Sequence, residues 1–143
     1  MDIVYTDSLT AEEFNALRAG VGWKEHVPDR AALALTRSDF LACARDGERA
    51  VGMARVIHDG TQAFVLDVIV HPAYQKRGIG KALMERVMAF LRVLARGGDM
   101  KVNLLTTDAN AGFYEPFGFE RRPNEHWGPG MTNCISQSDV SDK

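Results

Sequence analysis

The densest chemical signal in the chain is a run of seven residues, Gln75, Lys76, Arg77, Gly78, Ile79, Gly80 and Lys81, with an apolar run ahead of it and a helical pattern behind it. A helix N-terminus offers unpaired backbone N–H groups and the positive end of the helix dipole. Glycines at such a point let the backbone approach a ligand closely, and Lys76, Arg77 and Lys81 add formal positive charge. The combination is an anion cradle suited to phosphate. On the turn alone, a strand-to-helix connection with solvated charges is an equal alternative. Just upstream, Asp67 is a lone carboxylate in an apolar run, FVLDVIV. Burial there would raise its pKa toward a range useful to a base. Because side chains alternate along a strand, Asp67 could equally face away and hydrogen-bond a loop.

Two familiar phosphate motifs fail. A P-loop requires GxxxxGK[ST], but Gln75 stands at its first glycine and Ala82 at its hydroxyl, so no magnesium ligand is present. The dinucleotide pattern GxGxxG breaks at Leu83, and the preceding strands read as a meander, not as a βαβ opening.

The elements that must position these residues follow from periodicity. Ile3 to Tyr5 reads as a strand. Thr10 and Glu13 form a capping box for a helix with apolar Leu9, Phe14, Leu17 and Val21. Pro28 opens a second helix. Turn signals at Asp46-Gly47 and Asp59-Gly60 separate three strand-like runs. Ile79, Leu83, Val87, Leu91 and Leu94 predict a long helix that stops at Gly97-Gly98. KVNLLTT is expected to be a strand, Asp108 to cap a helix carrying Ala111, Phe113, Tyr114 and Phe117, and FERRPNEHWGPGMTNCISQ to hold the last strand or strands. The expectation is a mixed-sheet α+β domain over residues 1–137, with about four helices and a frayed polar tail at 138–143.

Composition narrows the function. With 143 residues, 45% hydrophobic and 25% charged, the chain is an ordinary globular domain with room for a core. A formal net charge of −2 gives no general pull toward nucleic acid or anionic membrane, so any anion site must be local. Cys43 and Cys134 match neither a disulfide framework nor a CxxC site, and four histidines without HExxH predict no metal. The N-terminus lacks a secretory pattern, and no run approaches the ~20 apolar residues of a membrane span. A cytoplasmic setting is the default expectation.

One family fits what is left. QKRGIG, following the strand end Val70-His71-Pro72, resembles the [QR]xxGx[GA] signature of the GCN5-related N-acetyltransferases, and NAGFYEPFGF resembles their second signature. The order of elements agrees from Ile3 to about Ile135. Gly22-Trp23 and the GPGM segment further resemble small bacterial members and the plant serotonin N-acetyltransferase-like group. The resemblance implies a splayed mixed sheet with acetyl-CoA as cofactor. Its pyrophosphate would be held by Gln75 to Lys81, and its pantetheine by the backbone of Val68, Ile69 and Val70 and by Asn110. A bulge would splay this strand from its neighbour. The N–H of Val70 or Ile69 would meet the developing oxyanion. Tyr114 would be the general acid, or an aromatic that packs the last helix. Asp67 is the first choice of base, with Glu25, His26 and Glu125 behind it and a water chain without a dedicated base as the alternative. Trp23, Phe40, His126 and Trp127 would line an acceptor pocket built from the first two helices and a last hairpin. The expected reaction is acetyl transfer to a small-molecule primary amine. A protein lysine or N-terminus as acceptor, a CoA-binding regulatory domain without turnover, and a homodimer remain alternatives.

Overall fold

The computed structural model describes residues 2–140. Strands β1 (Ile3–Thr6), β2 (Phe40–Asp46), β3 (Arg49–His58), β4 (Gln62–Val70) and β5 (Lys101–Asn103) form one sheet in chain order. The first four are antiparallel neighbours and β5 runs parallel to β4, which makes the sheet mixed. The α-helices are α1 (Ala11–Gly20), α2 (Pro28–Thr36), α3 (Ile79–Ala95) and α4 (Asp108–Tyr114). Two compact units divide the chain after Leu104, so the sheet and α1–α3 belong to the first and α4 to the second. No described helix is long and apolar enough to cross a membrane.

Helix α1 starts where the capping box requires. The Thr10 hydroxyl accepts from the Glu13 N–H at 3.1 Å, and the Glu13 carboxylate accepts from the Thr10 N–H at 3.0 Å. The same carboxylate takes two bonds from the Arg45 guanidinium of β2, at 2.7 and 2.9 Å, tying the helix start to the sheet. One sheet face meets α1 and α2 through Phe14, Leu17, Ala31, Cys43, Met53 and Ile69. The other meets α3, whose Ile79, Leu83, Met84, Val87 and Leu91 are buried. Gly52 of β3 allows this close approach: a Cβ there would lie 3.2 Å from the Ile69 carbonyl and the Leu83 side chain and 3.3 Å from Ile79.

Three expectations are corrected. KVNLLTT forms a strand only over Lys101–Asn103. Thr107, not Asp108, is the N-cap of α4, and Asp108 is its first helical residue. Among the described residues no strand follows α4. Pro123 and Pro129 remove amide donors and Gly128 and Gly130 flank the second, while Asn124 closes a turn by accepting from the N–H groups of His126 and Trp127. Within the tail, Gln137–Asp139 form a single 3₁₀ turn, and residues 141–143 lie outside those described.

The Arg45 bonds, chiefly, hold the Glu13 carboxyl at about 2. A carboxyl held below its unfolded value adds stability above that value and loses it as pH falls through the folded one. Stability should therefore drop between about pH 4.3 and pH 2, and Glu13→Gln should flatten that part of a urea-denaturation profile taken against pH.

Candidate active site

Strand β4 carries the first element of the site. It pairs with β5 only at Gln62, Ala63 and Phe64, and then continues from Val65 to Val70 past the end of β5. On its other side the register slips. Arg55 faces Leu66 and Met53 faces Ile69, so Ala54 opposes both Asp67 and Val68. This is a β-bulge, and Asp67 takes a left-handed φ of 51° in it. Such a backbone is uncommon for a residue with a side chain and persists where its surroundings fix it.

Asp67 is not a lone carboxylate. Arg18 of α1 donates to its Oδ1 at 2.6 Å and Arg55 of β3 donates to its Oδ2 at 2.7 Å, and all three side chains are largely buried. With both oxygens held by guanidinium groups, the carboxylate has been committed to fixing the bulge. The expectation that it serves as base is corrected on that ground. Arg18 also donates to the Lys24 carbonyl at 2.9 Å and lies against the rings of Trp23 and Phe14, at 5.4 and 5.9 Å. One guanidinium thus joins the bulge to the loop after α1. Sequence reasoning missed both arginines. Arg55 had a signal, a single cation in the apolar run AVGMARVI, the counterpart of Asp67 in the next strand.

After Val70 the chain makes a 3₁₀ turn over Pro72–Tyr74 and enters the glycine segment. The Gln75 side chain donates to the Val70 carbonyl at 3.0 Å. Lys76 (φ 63°) and Gly78 (φ 83°) are left-handed, and Gly78 is the N-cap of α3. The first helical bond runs from the Ala82 N–H to the Gly78 carbonyl at 3.0 Å, so the amides of Ile79, Gly80 and Lys81 have no partner within the helix. Nothing lies within 4 Å of where a Gly78 Cβ would stand. The Arg77 guanidinium packs on Tyr74 at 5.5 Å, and Lys81 faces Glu85 at 3.9 Å on the exposed helix surface.

Of the four residues expected to line a pocket, the two in the first unit do not share a sheet face. Trp23 lies on the α1 side against Arg18. Phe40 stacks on Phe90 of α3 at 4.9 Å, while its neighbour Leu41 packs against the α1 cluster, so strand alternation puts Phe40 on the opposite sheet face. In the second unit, His126 is exposed beside Glu125, and the Trp127 indole N–H donates to Glu120 at 3.3 Å. With no strand there, the expected hairpin wall is absent from the described residues. Also in that unit, Asn110 is exposed in the first turn of α4. The half-buried Tyr114 packs edge-on against Phe113 and Phe119, and burial pushes its phenol pKa up.

Strand β4 thus outruns its parallel neighbour, kinks at a bulge and delivers the chain to an amide-rich helix start within an α+β fold. The family model described as "Acetyltransferase (GNAT) domain" matches residues 37–121, more than half of the chain. The chain belongs to the GNAT family of N-acetyltransferases. It is 33% identical over 122 residues to "GCN5-related N-acetyltransferase 1, chloroplastic" of Arabidopsis thaliana, covering 83% of this chain and 60% of that one. To "Serotonin N-acetyltransferase 2, chloroplastic" of Oryza sativa it is 33% identical, covering 81% and 59%. The chain therefore spans less than two thirds of the length of these relatives. A Staphylococcus aureus crystal structure named as a probable acetyltransferase superposes with a TM-score of 0.84 at 28% identity, over 94% of this chain and all of that one.

The bulge supplies a test of its own. Asp67→Ala would leave two largely buried guanidinium groups facing each other without their counter-charge, and the expected loss is about 3–5 kcal/mol of unfolding free energy by urea titration.

Proposed function

We propose that the chain is an acetyl-CoA-dependent N-acetyltransferase that acetylates a primary amine of a small molecule by direct attack on the thioester. The observation that carries this reading is the continuous path from the open edge of β4, Val65 to Val70, to the unpaired amides at the start of α3. The residues present fit the ligand. An amide-bearing pantetheine arm can pair with the backbone of Val68 to Val70 as an added strand would. A pyrophosphate suits the amides of Ile79, Gly80 and Lys81, with cationic Lys76, Arg77 and Lys81 around them and an open approach over Gly78.

Bound acetyl-CoA would supply an activated acetyl carbonyl. The chain's part is then to position, to stabilise charge and to move protons. Approximation of the two reactants by the β4 edge and the α1 side contributes several kcal/mol. A backbone N–H beside the bulge, that of Ile69 or Val70, stabilises the developing negative oxygen. By resemblance to the family, Tyr114 gives a proton to the departing thiolate, and Asn110 contacts the pantetheine. The raised phenol pKa keeps Tyr114 protonated throughout the neutral range, as a proton donor requires. Trp23, 46% exposed on the α1 side, favours an amine carried on an apolar or aromatic body.

The first experiment is acetyl-CoA-dependent thiol release across a panel of aromatic, aliphatic and polyamine acceptors. Release above the amine-free rate supports the reading and identifies the acceptor class. A silent panel combined with release on peptide amines would replace the small molecule by a protein, and silence on both would favour a CoA-binding regulatory domain. Gly80→Asp should abolish acetyl-CoA binding in calorimetry, since its carboxylate competes for the anion position; unchanged affinity argues against the cradle. Tyr114→Phe should lower turnover by roughly 10²- to 10⁴-fold with acetyl-CoA affinity retained.

A further inference from the structure

We infer that His26 is the general base that accepts the proton of the incoming ammonium, an assignment that rests on the acetyltransferase reading above. With Asp67 held by Arg18 and Arg55, the proton goes to another side chain or to a water chain, and the geometry around His26 favours the side chain. The loop from Val21 to Val27 contains no regular structure, yet it is fixed at one residue. Asn15 of α1, a buried polar side chain, donates to the His26 carbonyl at 2.8 Å and accepts from the His26 N–H at 3.0 Å. Both functions of that amide are therefore used to hold the His26 backbone. The imidazole stacks on Phe14, with centroids 6.1 Å apart and planes 19° apart, while the residue as a whole stays exposed. A pinned backbone with an accessible ring is the arrangement a proton acceptor needs.

The ring also stands in the right neighbourhood. Phe14 is the common platform for His26, Arg18 and Arg55, the last at 5.7 Å. Arg18 holds Asp67 at the bulge and the Lys24 carbonyl two residues before His26. The imidazole thus lies on the α1 side of the sheet, near enough to the Asp67 carboxylate to feel its charge. The charged groups acting on it are Arg18 from α1, Arg55 from β3, Asp67 from β4 and Lys24 from the loop itself. Burial first, then Arg18, with Arg55 and Lys24 adding to them, lowers its pKa against the opposing pull of Asp67. His26 is accordingly neutral at pH 7 and able to accept a proton.

The step balances as follows. A ring nitrogen of His26 takes one proton from R–NH₃⁺, leaving a neutral amine and an imidazolium. The amine lone pair then forms the C–N bond to the acetyl carbonyl as the C–S bond breaks, and the thiolate takes its proton from Tyr114.

The test compares wild type, His26→Gln and His26→Ala from about pH 5 to 9, with the amine that the panel identifies. Wild-type kcat/KM should rise with pH along a limb whose midpoint lies below the ordinary histidine value of about 6.5. His26→Gln should lose that limb and about 10²-fold in kcat while its KM for acetyl-CoA is unchanged. Added imidazole should restore part of the His26→Ala rate, which a structural loss could not show. A retained limb with near-wild-type kcat in His26→Gln overturns the assignment. So does an NMR titration of the ligand-free wild type in which His26 titrates above the ordinary value, and this readout needs no turnover. A wild type without amine-dependent release refutes the acetyltransferase reading instead, and the two failures are thereby separate.

Discussion

Two arginines and one aspartate set the conditions for everything else in the first unit. A left-handed residue in the middle of a strand costs conformational energy, and a largely buried carboxylate costs more unless it is paired. Arg18 and Arg55 offset both by holding the two oxygens of Asp67 from different elements. The guanidiniums need the carboxylate as much as it needs them, because each is itself nearly buried. Through this one contact the bulge, helix α1 and the loop after it share a single geometry.

The functional gradient follows from that anchor. Strand β4 is paired to both neighbours only from Gln62 to Phe64, and from Val65 through the bulge to Val70 it keeps only β3. The chain then turns through two left-handed residues, Lys76 and Gly78, into α3. Helix α3 is held close to the sheet by the missing side chain of Gly52. On the reading proposed above, this scaffold would present backbone groups, not side chains, to a ligand made largely of amides and phosphates. On the α1 side, the rings of Phe14 and Trp23 lie against Arg18, and His26 stacks on Phe14.

Local rules explain why much of this was legible in the sequence. The capping box at Thr10, Pro28 at a helix start, the two Asp-Gly turns and the apolar spacing of α3 all depend on residues within a turn or two of one another, and each appears where the spacing puts it. The strand-to-helix turn at the start of α3 was legible because its glycines and cations are contiguous. What sequence could not give were relations across long separations. Asp67 and Arg18 are 49 positions apart, so a clamped ion pair read as a lone base. Phe40 and Trp23 are both aromatic, but the sheet face each occupies depends on strand register. After α4, the aromatic and apolar residues suggested strands, while two prolines and an Asn-centred turn ruled locally.

The open length of β4 has a consequence for solubility. An unpaired strand edge is a template on which another chain can add a strand, the usual route to aggregation. Here the edge is neither long nor flat. The bulge at Asp67 twists it halfway along, and the Gln75 amide covers the last carbonyl, that of Val70. A continuous strand from another chain cannot keep register across such a break, whereas a short flexible ligand needs only the segment beyond it. The irregularity that would admit a cofactor-sized molecule on the proposed reading thus also keeps the sheet from growing.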